Sequence, residues 1–171
     1  LDIRKMINFF KKNFYINLFI IISIFFLDRV SKIYVINSYD NNLGNDLFSS
    51  KYLNIILIWN DGIAFGLFSD NNQIFYNIIS IIILLIIIIL FYLMIKTDSY
   101  KKYVYMIIIG GALGNLFDRI VYNSVPDFID LHYQGFHWFV FNGADIFITI
   151  GVICLIYDEV FLEKNRNGNN A

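Results

Sequence analysis

Residues 78–95 read IISIIILLIIIILFYLMI, a stretch without a single charge. A helix that is apolar on every face must be surrounded by lipid or by a large core, and a chain of 171 residues has too little else to provide that core. Lipid is therefore the expected solvent. The composition agrees: 58% hydrophobic, 19% aromatic and only 16% charged residues, with a mean hydropathy of +0.60. Three further apolar stretches have the length of about 20 residues that crossing a bilayer requires. The four predicted spans are 14–35, 74–95, 103–122 and 142–161, joined by long loops over 37–73 and 123–141 and followed by a polar tail over 162–171 that is expected to be disordered.

The distribution of basic residues orients this bundle. Arg4, Lys5, Lys11 and Lys12 precede the first span, Lys96, Lys101 and Lys102 follow the second, and Lys164 and Arg166 follow the fourth. The two long loops hold only Lys51. Positive-inside bias then places both termini in the cytoplasm and both loops outside. The first span has a basic leader but no small-x-small cleavage site, so it is read as a retained helix rather than a signal peptide. The chain begins with Leu, and residue 1 need not be the native start. A net charge of −1 gives no basic field for nucleic acid. The single Cys154, in an apolar run, has no disulfide or metal partner of its own kind.

Charged residues at membrane depth are costly and normally turn inward. Asp28 and Lys32 stand four apart with the acid first, the favourable order for a helical ion pair, either snorkelling at the outer interface or propping up a polar site. In GGALGNLFDR, Gly110 and Gly114 form a small-xxx-small face for close helix approach. Asn115, Asp118 and Arg119 follow on neighbouring faces, as a helix-pinning network or as substrate contacts, with Arg119 expected to find its carboxylate on another segment or a lipid phosphate. Pro126 should end the third helix and leave Asp127 on irregular backbone lining a cavity. The aromatic segment FIDLHYQGFHWFVF should lie at the interface and turn back at Gly135. Asn142 then stands at an N-cap position, which makes Asp145 the third helical residue, where the helix dipole favours a carboxylate. Two acids in unequal environments, Asp127 and Asp145, are the equipment of an acid/base pair. Asp130 lacks a partner pattern, and His132 and His137 alone make a weak metal signal. In the first outer loop, YLNIILIW is β-prone and the following Gly-punctuated turn suits a substrate-facing platform.

Four stretches in order, LDRVSK, WNDGIAFG, GGALGNLFDR and the pair VPDF with FNGAD, resemble the pattern of the lipoprotein signal peptidases, or signal peptidase II, over roughly residues 14 to 160. The resemblance implies an α-helical membrane protein of four transmembrane helices with a small extracytoplasmic β-cradle and a short outer helix. It implies an aspartic endopeptidase of the bacterial inner membrane that cuts prolipoproteins before a diacylglyceryl-modified cysteine, working as a monomer in membrane lipid, with no cofactor and no metal. Asp127 and Asp145 fall on the catalytic positions. Asp28, Lys32, Asn60, Gly62, Ala64, Asn115, Asp118, Arg119 and Asn142 fall on supporting or substrate-lining ones. Arg29 and Asp61 are added charges that leave the motif positions intact. From the residues alone, a proton- or ion-coupled transporter and a non-enzymatic assembly protein remain the competing classes.

Overall fold

A computed structural model describes residues 3–61, 73–97 and 99–162, with side chains over 14–61, 76–97 and 99–161. Four long helices appear where the four apolar stretches predict them. They are α1 (Ile3–Asn41), α2 (Gln73–Lys96), α3 (Lys101–Tyr122) and α4 (Gly143–Tyr157), the last continuing as a π-helical turn, Asp158–Leu162. At 1.5 Å per residue α1 is roughly 58 Å long, more than a hydrocarbon core of about 30 Å requires. By length and composition, α2 over Tyr76–Lys96 and α3 are each sufficient to cross a membrane.

The bundle is organised around α3. Met106, Ile109, Ala112 and Leu116 of α3 form one buried cluster with Ile21 of α1 and with Ile87 and Met94 of α2. In contrast, α2 exposes Ile81, Ile82, Leu85, Ile88 and Ile89, as expected for the charge-free segment. The expected small-residue face is present and is used twice. A methyl group on Gly110 would meet the Ile24 side chain at 2.7 Å, and one on Gly114 would collide with the Asp28 carboxylate, so both glycines set the approach of α1. One residue round the helix, Gly111 admits the α4 backbone, with the carbonyl of Ala144 at 2.7 Å from where a Cβ would stand. At the far end of the bundle Lys101 pairs with the buried Asp158 at 2.5 Å, and the Tyr100 hydroxyl also donates to that carboxylate.

The two outer loops join in one antiparallel sheet, β1 (Phe48–Ser49), β2 (Leu53–Asn60), β3 (Val125–Tyr133) and β4 (Phe136–Phe141), in that spatial order. The β-prone stretch becomes β2, and the aromatic segment becomes a hairpin that reverses at Gln134 and Gly135. Both turn residues have positive φ, 51° and 81°, the two-residue turn whose twist suits a hairpin. Asp127 therefore lies on a strand, not on irregular backbone. The chain does leave α3 before Pro126, through Asn123 in the left-handed region (φ 55°), but β2 then offers a partner, pairing Ile58 with Asp127 and Trp59 with Pro126. Pro126 is the second residue of its strand, near the end where a missing donor is tolerated. Phe136, Trp138 and Phe139 of β4 remain exposed, a placement suited to a membrane interface. No short outer helix occurs among the described residues of the 37–73 loop, and Gly62 and Ala64 lie outside those residues, as does the tail beyond Leu162.

Replacing Gly114 by Ala should destabilise the protein by about 1–3 kcal/mol, because a methyl group must displace a buried carboxylate held from several sides. Denaturant unfolding in detergent micelles checks this, and Ala at the exposed Gly135 turn, where nothing crowds a Cβ, provides a contrast limited to backbone strain.

Candidate functional site

The carboxyl-terminal half of α1, the carboxyl end of α3 and the amino end of α4 meet beside the sheet. Lys32 sits at this junction with no exposed surface, and its ammonium donates to Asp28 Oδ2 at 3.0 Å, Asn115 Oδ1 at 2.8 Å and Asp118 Oδ2 at 2.7 Å. All three ammonium hydrogens are thereby placed. Asp28 also accepts the backbone N–H of Ala144 at 3.0 Å, one of the amides that the first turn of α4 leaves without an intrahelical partner. The Asp28–Lys32 pair is thus a buried prop and not a snorkelling surface pair.

Arg29 belongs to the same network, which its classification as an added charge did not foresee. Its guanidinium donates to Asp28 Oδ2 at 3.0 Å and to Asp118 Oδ2 at 2.7 Å and forms an ion pair with Asp118 Oδ1 at 2.5 Å, so two acids and two bases balance in one buried cluster. The adjacency of Arg29 to Asp28 was visible, but its reach across to α3 depends on helix packing that no local spacing encodes. Burying ions is expensive, and the expense is offset only when every partner is present.

The network determines how the asparagines point. A lysine can only donate, so Asn115 turns its carbonyl oxygen to Lys32, and its amide hydrogens are left to face Asp145 Oδ1 at 2.7 Å. Asn142 is fixed in the same way from the other side. As the N-cap of α4 it accepts the backbone N–H of Asp145 at 3.2 Å, while Asp145 Oδ2 accepts the N–H of Asn142 at 3.1 Å, a reciprocal capping box. With its oxygen so engaged, the Asn142 amide donates to Asp127 Oδ1 at 2.6 Å. Asn60, at the end of β2, donates to Asp127 Oδ2 at 2.9 Å.

Asn142 therefore hydrogen-bonds both aspartates. The two face a cavity of about 270 Å³ whose wall also includes Asn60, Asn115, Arg119 and Phe141. Arg119 Nη1 is anchored on the Asn115 carbonyl at 3.2 Å and brings positive charge to the wall. Asp118 faces Lys32 and Arg29 instead of the cavity and acts as structural support. Burial pushes the Asp127 carboxyl up to about 6, and the nearby Asp145 carboxylate pushes in the same direction. The Asn60 and Asn142 amides and, at longer range, Lys32 oppose that shift. Nine of the eleven residues singled out by sequence thus meet at one junction; Gly62 and Ala64 are the two outside the described residues. Asp61, the other added charge, is exposed.

Lys32→Met should cost about 3–5 kcal/mol, since it leaves Asp28 and Asp118 facing one another in a buried site with only Arg29 to compensate. Thermal or denaturant unfolding measures this loss, and Arg29→Met at the edge of the cluster should cost less.

The family model described as signal peptidase (SPase) II matches residues 20–161. The lipoprotein signal peptidase of Pelagibacter ubique (strain HTCC1062) is 53% identical over 155 residues, covering 91% of this chain and 93% of that protein. Those of Rickettsia felis (strain ATCC VR-1525 / URRWXCal2) and Anaplasma marginale (strain Florida) are 41% and 37% identical, covering 88% and 82% of this chain and 79% and 81% of their own lengths. Among solved structures, a bacterial membrane enzyme determined by the in meso method at 1.9 Å resolution superposes with a TM-score of 0.67 at 32% identity, covering 85% of this chain and 92% of that one. The chain belongs to the signal peptidase II family.

Proposed function

We propose that this chain removes signal peptides from diacylglyceryl-modified prolipoproteins, cutting before the lipidated cysteine with a water activated between Asp127 and Asp145. The observation that carries this reading is the double engagement of Asn142, which ties both carboxyl groups to one small cavity.

Chemically, the roles follow from the surroundings. Asp127, with its carboxyl pushed up to about 6 by burial, is assigned the proton: in the fraction of molecules in which it is protonated, it offers that proton to the scissile carbonyl oxygen. Asp145 takes a proton from water as the hydroxyl oxygen attacks the carbonyl carbon, and the Asp127 proton passes to the carbonyl oxygen to give a neutral gem-diol. A gem-diol proton then returns to Asp127, the Asp145 proton passes to the leaving nitrogen, and the C–N bond breaks. The products are the carboxyl end of the signal peptide and the free amine of the lipidated cysteine. Both aspartates finish in their starting states, with no covalent intermediate. Arg119 supplies positive charge where substrate carbonyls would line the cavity.

In this reading all four helices cross the inner membrane, both termini are cytoplasmic, and the sheet and cavity lie at the extracytoplasmic face. The chain works as a monomer, and lipid delivers the diacylglyceryl group laterally so that the scissile bond arrives at the cavity. A transport path has less support: among the described residues the bundle interior beyond the cavity is packed with Ile21, Ile87, Met94, Met106 and Ile109.

Asp127→Asn and Asp145→Asn should each lower processing of a diacylglyceryl prolipoprotein by roughly 10²–10⁴-fold or more while leaving the melting temperature near that of the parent. Normal turnover by either variant, in a gel-shift assay of substrate and product, would remove that residue from the mechanism. The pH dependence has a definite sign. Asp127 must enter protonated, so kcat/KM should fall as pH rises through its pKa. Asn60→Ala removes a hydrogen bond that favours the ionised form, so the alkaline limb should move to higher pH. A limb that moves to lower pH would assign the proton elsewhere.

A further inference from the structure

On β3, Asp130 and His132 are two residues apart, and the hairpin register sets His132 directly against His137 of β4. One ligand atom from each of these three residues can be chosen so that all lie within 4.8 Å of one another. His137 Nδ1 is 2.9 Å from Asp130 Oδ2, and His132 Nδ1 is 3.7 Å from the same oxygen. The two imidazoles are stacked, with centroids 4.9 Å apart.

The carbonyl oxygen of Ser50, 3.0 Å from His132 Nε2, can only accept, so Nε2 carries a hydrogen, and in the neutral ring Nδ1 presents the lone pair. That Nδ1 is buried and has no hydrogen-bond partner. A backbone carbonyl holding one ring N–H while the other nitrogen is left for a ligand is the arrangement that orients metal-ligating histidines. Asp130 is oriented too: its side chain is 3% exposed, and Oδ2 accepts the Asn54 amide at 3.0 Å. A hydrogen bond between His137 and Asp130 would satisfy those two groups but would still leave the His132 lone pair buried and unused.

We propose that Asp130, His132 and His137 form a site for a divalent transition-metal ion of the zinc class. Two imidazole nitrogens and one carboxylate oxygen are donors suited to Zn²⁺, with Cu²⁺ or Ni²⁺ as competitors, and poorly suited to Mg²⁺ or Ca²⁺. The His137 side chain is 55% exposed, so the ion has a route in from solvent and room for a water as a further ligand. The site is separate from the carboxyl pair. Asp127 and Asp130 are three residues apart on one strand and so project to opposite faces of the sheet, Asp127 into the cavity with Asp145 and Asp130 into a second one with Tyr39, Asp46 and Asn54. A bound ion would fasten the β1–β2 connection, through His132 and Ser50, to the β3–β4 hairpin, stiffening the sheet from behind the cavity.

The test uses full-length, chelator-stripped protein in detergent micelles. Equilibrium dialysis against buffered Zn²⁺, read by elemental analysis, should give close to one ion per chain. Zn²⁺ should also raise the melting temperature, and Cu²⁺ substitution should show nitrogen hyperfine splitting in its electron paramagnetic resonance spectrum. The exposed single variant His137→Gln and the double variant His132→Gln/His137→Gln should lose the bound ion and the thermal shift, whereas Asp145→Asn should keep both. No binding above an adventitious level in the parent chain, or full binding in the double variant, would overturn the proposal. Loss of the ion in Asp145→Asn alone would place it at the carboxyl pair instead and would equally overturn it.

Discussion

The buried ammonium of Lys32 is the contact on which the rest of the site depends. It joins α1 to α3 through Asp118 and Asn115, and with Arg29 it offsets the charge of the two acids around it. Because it can only donate, it sets which end of the Asn115 amide faces Asp145. Asp28, held by Lys32 and Arg29, accepts the N–H of Ala144 and so fixes where α4 begins. The start of α4 in turn places Asn142, and Asn142 holds both carboxyl groups. One charge in the wrong place would disturb each later step, because a partly satisfied buried network is worse than an apolar one.

Division of labour within the chain follows from the solvent. Residues facing lipid need only be apolar, and α2 meets that requirement; among the described residues none from α2 lines the cavity. Water chemistry needs polar groups that lipid would exclude, so they gather where the ends of α3 and α4 and the later turns of α1 meet a sheet with an aromatic outer strand. The glycines of α3 make this junction possible by letting α1 and α4 approach until Asp28 and Ala144 can bond.

Much of this was legible locally. A charge-free run, a small-xxx-small face, an i,i+4 acid–base pair and an Asn-x-x-Asp cap are short-range patterns, and each appears where its spacing places it. What escaped was long-range. Asp127 lies on a strand because β2, more than sixty residues earlier, pairs with it, whereas Pro126 alone argued for irregular backbone. Arg29 joins the network only because α3 lies against α1. Asp130 seemed partnerless until the hairpin register brought His137 back beside it; the alternation Asp130-x-His132 with a Gln-Gly turn was the available clue.

The central claim is that Asp127 and Asp145 act on one scissile bond. It is tested most directly by a crystal structure in lipid mesophase with a substrate analogue whose scissile peptide is replaced by a hydroxyl-bearing isostere. The account predicts that the hydroxyl oxygen lies within about 2.5–3.0 Å of one carboxyl oxygen from each aspartate, with Asn142 still bonded to both residues. A hydroxyl in contact with only one of them, with the other turned away or a full water layer distant, would contradict it.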